Sequence, residues 1–438
     1  MTMSSRSRSA TVMLLVTIFL VSMNMRGMIT GVGPLIDQIA SDTGYSLTLL
    51  GFLASIPMLM WGVVSPFVHA LTVRFGLNPT MTCALILLAI ATVLRSVVLP
   101  GDAGLWIGTV VIGIALAVIN VLMPVATRRD FGAKSSTVMS VNTNMLVIVA
   151  AASSGLVVPL SYLPLGDGVL GWRLALMATG VLLPFAIVLW VAMHRGRGDS
   201  AERPADRGEV GTTAEAPAGA PLISVAPPSV ARAVWRDPLA WLIAWYMALQ
   251  AIQFFVFSSW FPKIEIDRGV DETTAGLEVM TMQLVGMIAT YCLPLMNRTA
   301  LRDRLPAWIT IPGIVAAVGL LAWPDLNLLW VVVLGLSSGP MLAIPLILIG
   351  ERSRDTSAAT AVSGMSQAFG YLLAGLGPIL FGWLHTVTGD WQLPLVFYLV
   401  DMVALGVVGW LIRPGWYVFD AKRPAGPGAS RRADAPQP

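Results

Sequence analysis

Charged residues are scarce in this sequence of 438 residues, in which Asp, Glu, Lys and Arg together account for 12%. A soluble globular protein usually carries roughly 25% charged residues. Hydrophobic residues account for 56% of the chain, and its mean hydropathy is +0.77. A soluble enzyme of this length would need more polar surface than the sequence supplies, so we predict that lipid surrounds most of the chain.

Cysteine and histidine are also rare. The two cysteines, Cys83 and Cys292, lie in apolar stretches, and the three histidines, His69, His194 and His385, are far apart in the sequence. This supply is too small for a disulfide framework or a metal site. We expect both cysteines to be small buried hydrophobic residues.

Catalytic motifs are missing as well. The sequence has no Walker loop, no Gly-x-Ser-x-Gly elbow and no His-Glu-x-x-His pair. Its 27 basic residues leave a net charge of only +3 and are too thinly spread for a nucleic-acid-binding stripe. We therefore predict that the protein is neither an enzyme nor an ATP-driven pump, and that it needs no cofactor and binds no nucleic acid.

The chain does contain a series of long apolar segments separated by short polar breaks. A helix needs about 20 apolar residues to cross the core of a bilayer. Twelve segments meet this requirement, at 11–37, 46–73, 79–99, 104–127, 136–160, 172–193, 238–261, 274–296, 305–323, 327–349, 357–384 and 392–412. The sequence therefore predicts an all-α polytopic membrane protein with twelve transmembrane helices.

The placement of lysine and arginine predicts how these helices are oriented, because cytoplasmic loops carry an excess of both. With a cytoplasmic N-terminus, 22 of the 27 basic residues fall on the cytoplasmic side, and the exceptions are Arg26, Arg95, Arg173, Lys263 and Arg268. We therefore expect a multi-pass protein of the plasma (inner) membrane with both termini in the cytoplasm.

One long polar stretch divides the chain after the sixth apolar segment. It is rich in Ala, Pro, Gly and charge and has no apolar period, so we expect it to be disordered, like the similar tail. The predicted organisation is a cytoplasmic N-terminal tail, a six-helix half, a disordered cytoplasmic linker, a second six-helix half and a disordered cytoplasmic tail, at 1–10, 11–195, 196–236, 237–413 and 414–438.

The two halves resemble each other at matching positions. Trp172 opens the sixth helix and Trp391 opens the twelfth, 219 positions later, while Pro124 and Pro345 are 221 positions apart. Chance is the alternative for the tryptophans, because interfacial aromatic residues are common at helix ends. Because six is an even number, duplicated halves are parallel repeats about an axis along the membrane normal, the symmetry of the major facilitator fold.

Three stretches resemble the cyanate porter branch of the major facilitator superfamily, which includes nitroimidazole-type exporters. They read NMR at 24–26 with VGPL at 32–35, NVLMP at 120–124 with RRDF at 128–131, and SGMSQAFGYLLA at 363–374 with Gly377 and Pro378. One departure is Gly27, where family members often have proline. The resemblance implies a porter of the twelve-helix major facilitator fold, without identifying the substrate.

Arg26 is the most informative charged residue, because it lies close to the middle of the first helix. An ionisable group at that depth costs several kcal/mol unless it faces a cavity or a partner. Thr30, Gly33 and Asp37 follow at i+4, i+7 and i+11, on the same helical face. Such a face suits a water-filled cavity and an anionic or polar solute, which a guanidinium binds without titrating. The alternative is a structural arginine that bonds to backbone carbonyls.

Polar residues on other central helices complete the candidate site. Asn120 lies in the fourth helix, Gln253 and Phe254 in the seventh, and Gln367 and Tyr371 in the eleventh. These amides and the phenol offer donors and acceptors, while the aromatic rings offer a flat apolar wall. Each is equally explained as a hydrogen bond between helices. We assign substrate binding to Arg26, Asn24, Asn120, Gln253, Gln367 and Tyr371, and proton coupling to Asp37.

Two further ionisable residues lie on helices that are peripheral in this fold. Arg95 lies near the outer end of the third helix, and we expect its long side chain to snorkel to the membrane interface. Asp401 lies in the twelfth helix, where a packing or pairing role is favoured over a role as a proton carrier. Neither residue is included in the candidate site.

The function predicted from these features is secondary active transport of a small anionic or polar solute by alternating access, in a monomer that depends on the bilayer. Asp37 is the candidate for proton coupling, and facilitated diffusion and exchange stay open as alternatives. Two alternatives stay open. A multidrug or heteroaromatic exporter of the same fold would use the aromatic wall and tolerate the loss of Arg26. A non-transporting membrane receptor would bind a ligand without moving it.

Overall fold

The apolar runs of the sequence form helices because a backbone in lipid must satisfy its hydrogen bonds within its own segment. The structure is a computed structural model that describes residues 5–166, 168–194, 228–296, 299 and 304–420. The described residues are almost entirely helical. Most of the predicted linker and most of the predicted C-terminal tail lie outside the described residues.

Six membrane-crossing segments, called spans 1 to 6, form the first half. Span 1 consists of the helix Ser5–Thr30, a 3-10 turn at Gly33–Leu35 and the helix Ile36–Thr43. Spans 2 to 5 are the helices Leu47–Phe75, Leu77–Ser96, Ala103–Phe131 and Ser135–Ser161, with 3-10 turns at Pro100–Asp102 and Gly132–Lys134. Span 6 is split into Gly171–Ala178 and Leu183–His194, and follows an antiparallel hairpin of Pro164–Leu165 and Gly168–Val169.

Six more segments, spans 7 to 12, form the second half. A short helix, Pro228–Val234, precedes span 7, which is Pro238–Asp267. Span 8 consists of Glu272–Thr290 and Leu293–Met296, and span 9 of Leu305–Trp308 and Ile311–Ala322. After a 3-10 turn at Pro324–Leu326, spans 10 to 12 are Asn327–Glu351, Thr356–Thr388 and Gln392–Leu411.

Eleven helices in the described residues are long and apolar enough to cross a membrane. Span 8 is not among them because its main helix is more polar and carries Glu278 and Gln283, both of which are buried. This helix packs against span 5 of the first half and against span 10. Protein therefore shields its polar groups from lipid, where they would be costly. The predicted all-α fold of twelve spans is confirmed.

The two halves contact each other most extensively through span 2 with span 11 and span 5 with span 8, and also through span 1 with span 7. At one end, the Gln38 side chain donates to the Glu272 carboxylate over 2.7 Å, and Lys263 forms an ion pair with Asp37. Every hydrogen bond that joins the two halves of the described chain lies at this end or near the middle. We call this end the closed end. The opposite end, where the chain enters span 1 and leaves span 12, is the terminal end.

The closest approach of the halves at the closed end depends on a glycine. A Cβ atom at Gly33 would lie 2.1 Å from the carbonyl oxygen of Ser258 and 2.8 Å from the Cα atom of Ser259. Both contacts are with the backbone of span 7, which cannot rotate away. Only glycine therefore allows spans 1 and 7 to meet at this distance.

The segments that flank the second half are more structured than the sequence predicts. Residues 228–236, predicted as linker, include the helix Pro228–Val234, whose last residue is buried. Residues 414–420, predicted as disordered tail, pack on the bundle, where the backbone N–H of Val418 donates to the carbonyl of Arg352 over 3.0 Å. Both predictions were wrong at these positions, because single apolar residues anchor segments whose average composition is polar.

The prediction that both cysteines are buried was also wrong. Cys83 and Cys292 are exposed on the surface of the bundle. In a bilayer an apolar side chain gains little by turning towards protein, since lipid tails are equally apolar. Apolar character therefore predicts burial less well here than in a soluble protein.

Candidate binding site between the halves

Arg26 lies between the two halves, one turn before the helix Ser5–Thr30 ends. Its guanidinium carbon is 5.3 Å from the centre of the Phe254 ring, which belongs to span 7 of the other half. Both side chains are half-buried although they lie in the middle of the bundle. A desolvated cation over an aromatic face is stabilised by roughly 2 kcal/mol. This contact therefore links the halves at mid-depth.

Tyr371 lies near Arg26, and Asn120 lies beside Tyr371. The hydroxyl of Tyr371 is next to the Asn120 side chain and within electrostatic range of the Arg26 guanidinium. Tyr371 packs edge-to-face on Trp61, with ring centres 5.1 Å apart. Spans 1, 2, 4, 7 and 11 each contribute a side chain to this group, which we call the central cluster: Arg26, Trp61, Asn120, Phe254 and Tyr371.

The central cluster contains one charge and no partner of opposite sign. In the described residues, no carboxylate pairs with Arg26, and no hydrogen bond to its guanidinium is formed. The tyrosine and the amide next to it offer only weak dipoles. A buried cation without a counter-charge is unfavourable by several kcal/mol, and an anion would offset that cost. The alternative of a structural arginine bonded to backbone carbonyls finds no such bond here.

Gln367 lies on span 11, one turn before Tyr371. Its Nε2 donates to the hydroxyl of Ser363 over 2.7 Å, and its side chain is half-buried. Gln367 therefore lies on the same helix as Tyr371, which is a member of the central cluster. Its amide, however, is bonded to Ser363 on that helix.

The side chains of Asn24 and Gln253 form hydrogen bonds outside the central cluster. Asn24 is fully buried, and its Nδ2 donates to the carbonyl of Leu20 over 2.7 Å. Gln253 contacts the Asp401 carboxylate and donates to the carbonyl of Tyr398 over 3.1 Å, both in span 12. Helical spacing placed Gln253 near Phe254, but the two side chains point to different neighbours.

Asp37 lies at the closed end, away from the central cluster. Its carboxylate forms an ion pair with Lys263, which also pairs with Asp267 on its own helix. Nearby, the Tyr162 hydroxyl donates to Glu272 over 3.0 Å. Desolvation and that carboxylate together raise the pKa of Tyr162, so its hydroxyl stays protonated as a donor. Asp37 therefore belongs to the contacts that hold the halves together.

Trp61 is the one member of the central cluster that sequence reasoning missed. It lies in the middle of span 2, is 3% exposed and also packs near Phe255, with ring centres 6.4 Å apart. Tryptophan in membrane proteins is enriched at the two interfaces. A tryptophan at mid-span was thus a detectable signal for a functional position.

The expectation that Arg95 snorkels to the interface was wrong. The residue is 1% exposed, and its Nη1 donates to the carbonyl of Met28 in span 1 over 2.9 Å. Asp401 is also buried and is bonded to Gln253 as described above. Both side chains thus point into the protein rather than towards the lipid.

Gly27 departs from the proline that is frequent in the related family, and the structure shows what a glycine permits there. The helix continues through Gly27 and ends only at Thr30. A Cβ atom at position 27 would lie 2.5 Å from the hydroxyl oxygen of Ser153 in span 5. Glycine therefore serves close packing of spans 1 and 5, and the helix breaks one turn later.

Comparison with known proteins gives a consistent result at the level of family and fold. The family profile of the Major Facilitator Superfamily matches residues 14–375. An uncharacterised transporter of Bacillus subtilis (strain 168), YycB, is 31% identical over 94% of this chain and 96% of its own. The 2-nitroimidazole transporter of Escherichia coli (strain K12) is 30% identical over 93% of this chain and 96% of its own. The cyanate transport protein CynX of the same organism is 23% identical over 90% of this chain and 96% of its own.

A solved structure shares the fold at low sequence identity. It is a bacterial homologue of the human lysosomal transporter Spinster, in an inward-facing and unoccupied conformation. The two structures agree with a TM-score of 0.74 at 14% identity, over 92% of this chain and 97% of the other. At that identity the likeness concerns the fold alone.

Proposed function

The chain belongs to the major facilitator superfamily, in its cyanate and nitroimidazole transporter branch, and we propose that it carries a small anionic or polar solute bound at Arg26. It is a multi-pass membrane transporter and not an enzyme. The solute binds at mid-depth and crosses the membrane by alternating access. Both termini lie in the cytoplasm, the orientation that the basic residues indicate.

The unpaired guanidinium of Arg26 is the observation that carries the proposal. A neutral solute would leave this half-buried charge uncompensated, whereas an anion would neutralise it in a medium of low dielectric. The planar donor fork of arginine fits a carboxylate or another flat anion through two parallel hydrogen bonds. The aromatic rings of Trp61, Phe254 and Tyr371 belong to the same cluster, and flat apolar rings favour a flat solute.

The two halves divide the binding residues between them. Arg26 and Asn120 belong to the first half, while Phe254 and Tyr371 belong to the second. A solute that contacts both sets bridges the halves at mid-depth, as alternating access requires. With the closed end sealed, the solute enters and leaves from the terminal end, which the proposed orientation places on the cytoplasmic side.

Proton coupling, if it acts through Asp37, works on the closed end rather than on the solute. Protonating Asp37 would remove one charge of its ion pair with Lys263 and so weaken the contact between spans 1 and 7. We propose that this protonation favours opening of the closed end. The division of the protein into two rocking six-span halves, 11–195 and 237–413, is part of the same proposal.

A second candidate function is export of neutral heteroaromatic compounds. The aromatic walls of the central cluster favour it, and one relative is named a 2-nitroimidazole transporter. In that case the rings provide the binding energy and Arg26 contributes little. The two candidates therefore differ in how strongly transport depends on the positive charge.

The test is uptake into proteoliposomes of labelled cyanate, benzoate and 2-nitroimidazole by the wild type and by Arg26→Gln. We expect R26Q to slow uptake of both anions at least thirtyfold, since removing one partner of a buried charge pair costs roughly 2 kcal/mol or more. R26K should retain part of the rate, because the charge remains while the fork is lost. R304Q is the control, since Arg304 lies over the Trp410 ring, 4.4 Å away, within the second half.

The outcome distinguishes the candidates. If R26Q takes up cyanate and benzoate at the wild-type rate, the anion proposal is wrong. If R26Q keeps 2-nitroimidazole uptake and the wild type moves no anion, the heteroaromatic exporter is the better description. Equal amounts of reconstituted protein, measured by fluorescence-detected gel filtration, ensure that the comparison concerns transport and not folding.

A further inference from the structure

Span 1 is broken immediately after the turn that carries Arg26. Pro34 has no N–H and cannot donate to the carbonyl of Thr30, its partner in a continuous helix. The N–H of Val32 donates to Ile29 over 3.2 Å instead of to Met28. Two carbonyls at the end of the helix, those of Met28 and Thr30, are therefore left without a backbone donor.

Side chains from two neighbouring spans donate to these carbonyls. Nη1 of Arg95, in span 3, donates to Met28 over 2.9 Å, and the Ser154 hydroxyl, in span 5, donates to Thr30 over 3.3 Å. Thr92, one turn before Arg95, also contacts the sulfur of Met28 over 3.3 Å. The broken end of span 1 is thus held by groups that lie outside its own helix.

The environment of Arg95 makes this contact unusual. The side chain is 1% exposed, and its Nε and Nη2 atoms have no hydrogen-bond partner in the described residues. No charged group of those residues interacts with it. An apolar side chain would fill the same space without the desolvation cost of a buried cation. The cation does have one favourable interaction that an apolar residue lacks, because it lies at the negative end of the helix dipole of Ser5–Thr30.

We propose that Arg95 is a positioning residue for Arg26. By donating to Met28, it fixes the last turn of the helix at the break, and Arg26 lies two residues earlier on that turn. The Arg26 guanidinium is then held in the orientation that faces Phe254 and the solute. The inference rests on the proposed function, because it assumes that Arg26 binds the solute.

The first test needs no solute. Hydrogen exchange of the full-length protein in nanodiscs measures the protection of backbone amides in peptides that cover residues 24–36. In R95Q we expect these amides to exchange at least tenfold faster, while peptides from spans 7 to 12 are unchanged. R95K should restore most of the protection, because an ammonium group also donates to a carbonyl. R304Q, whose arginine donates to the carbonyl of Trp410 in the second half, is the matched control.

The second test is a double-mutant cycle on benzoate affinity, measured by calorimetry. R95Q should weaken binding about tenfold in the wild-type background and not at all in the R26Q background, because there is no longer a guanidinium to position. A general loss of stability would instead weaken binding equally in both backgrounds. Thermal unfolding of each variant accompanies the cycle.

The outcomes separate the two proposals. If R26Q binds benzoate as the wild type does, the proposed function is overturned whatever R95Q does. If R26Q loses binding while R95Q keeps wild-type affinity and amide protection, the role of Arg95 is overturned and the proposed function stands. Equal losses from R95Q in both backgrounds also overturn the positioning role.

Discussion

Replacing Gly33 with alanine should prevent the closed end from sealing. The added Cβ would lie 2.1 Å from the carbonyl oxygen of Ser258, whereas ordinary contact begins at 3.4 Å. Spans 1 and 7 would therefore have to separate by about 1.3 Å. Because both obstructing groups belong to the backbone, no side chain can rotate to relieve the clash.

The energetic cost of this clash sets the size of the effect. Overpacking of a rigid contact typically costs about 1–3 kcal/mol. That cost falls only on the conformation in which the closed end is sealed, so its population relative to the alternative should fall by roughly 5–150-fold. The wild type, whose closed end is held by Gln38–Glu272 and Asp37–Lys263, is the reference state.

The assay is a distance measurement across the closed end. Spin labels at Ser41→Cys on span 1 and Val387→Cys on span 11, in a C83S/C292S background, report the separation of the halves from two exposed positions. In G33A we expect the main distance to be longer than in the wild type, with slower solute exchange in proteoliposomes. G364A is the matched control, since a Cβ atom at Gly364 meets nothing within 4 Å.

An unchanged distance distribution in G33A would refute the reasoning. It would mean that the backbones of spans 1 and 7 do not approach each other in the membrane as the geometry requires. A change of the same size in G364A would refute it as well, because the effect would then come from helix propensity and not from the contact with Ser258.

Two further predictions concern the closed end and the aromatic wall. Lys263→Gln should raise several-fold the population of the conformation in which the closed end is open, measured with the same spin labels, since a half-buried ion pair contributes about 1 kcal/mol. An unchanged distance would show that the ion pair does not hold the halves together. Trp61→Ala should weaken benzoate affinity about tenfold, whereas Trp61→Phe should stay within about threefold of the wild-type affinity. The reason is that an edge-to-face aromatic contact contributes roughly 0.5–1.5 kcal/mol beyond its buried area. Equal affinities for the two variants would exclude Trp61 from the site.

Element type and order were predictable from the sequence because bilayer thickness and backbone hydrogen bonding leave few choices. The same argument locates Arg26 near mid-depth, and helical spacing leads to Asn120 and Tyr371 on other central helices. These three residues come together in the structure. Spacing alone, however, says only which residues share a helical face.

The direction in which each polar side chain points was not predictable in this way. Gln253 and Phe254 are adjacent in sequence, yet Gln253 bonds to span 12 and Phe254 faces Arg26. Arg95 has the length to reach the interface but donates to the carbonyl of Met28, which is free because the N–H of Val32 donates to Ile29 where span 1 breaks. A hydrogen bond of this kind joins two helices, so the residue spacing within one helix does not predict it.

Charges inside the bundle show why Arg26 differs from the rest. Lys263 is paired with Asp37 and Asp267, and Glu265 and Glu278 share the amide of Asn327, at 2.6 and 3.0 Å. Asp401 is bonded to Gln253, and Arg95 to a backbone carbonyl.

Each of these groups has a polar protein partner, as a charge withdrawn from water requires. Among the buried and half-buried charges of the described spans, Arg26 differs because its neighbours are the aromatic face of Phe254 and the neutral phenol of Tyr371. The described protein supplies no counter-charge for Arg26, and under the proposed function a solute anion that binds and leaves provides it.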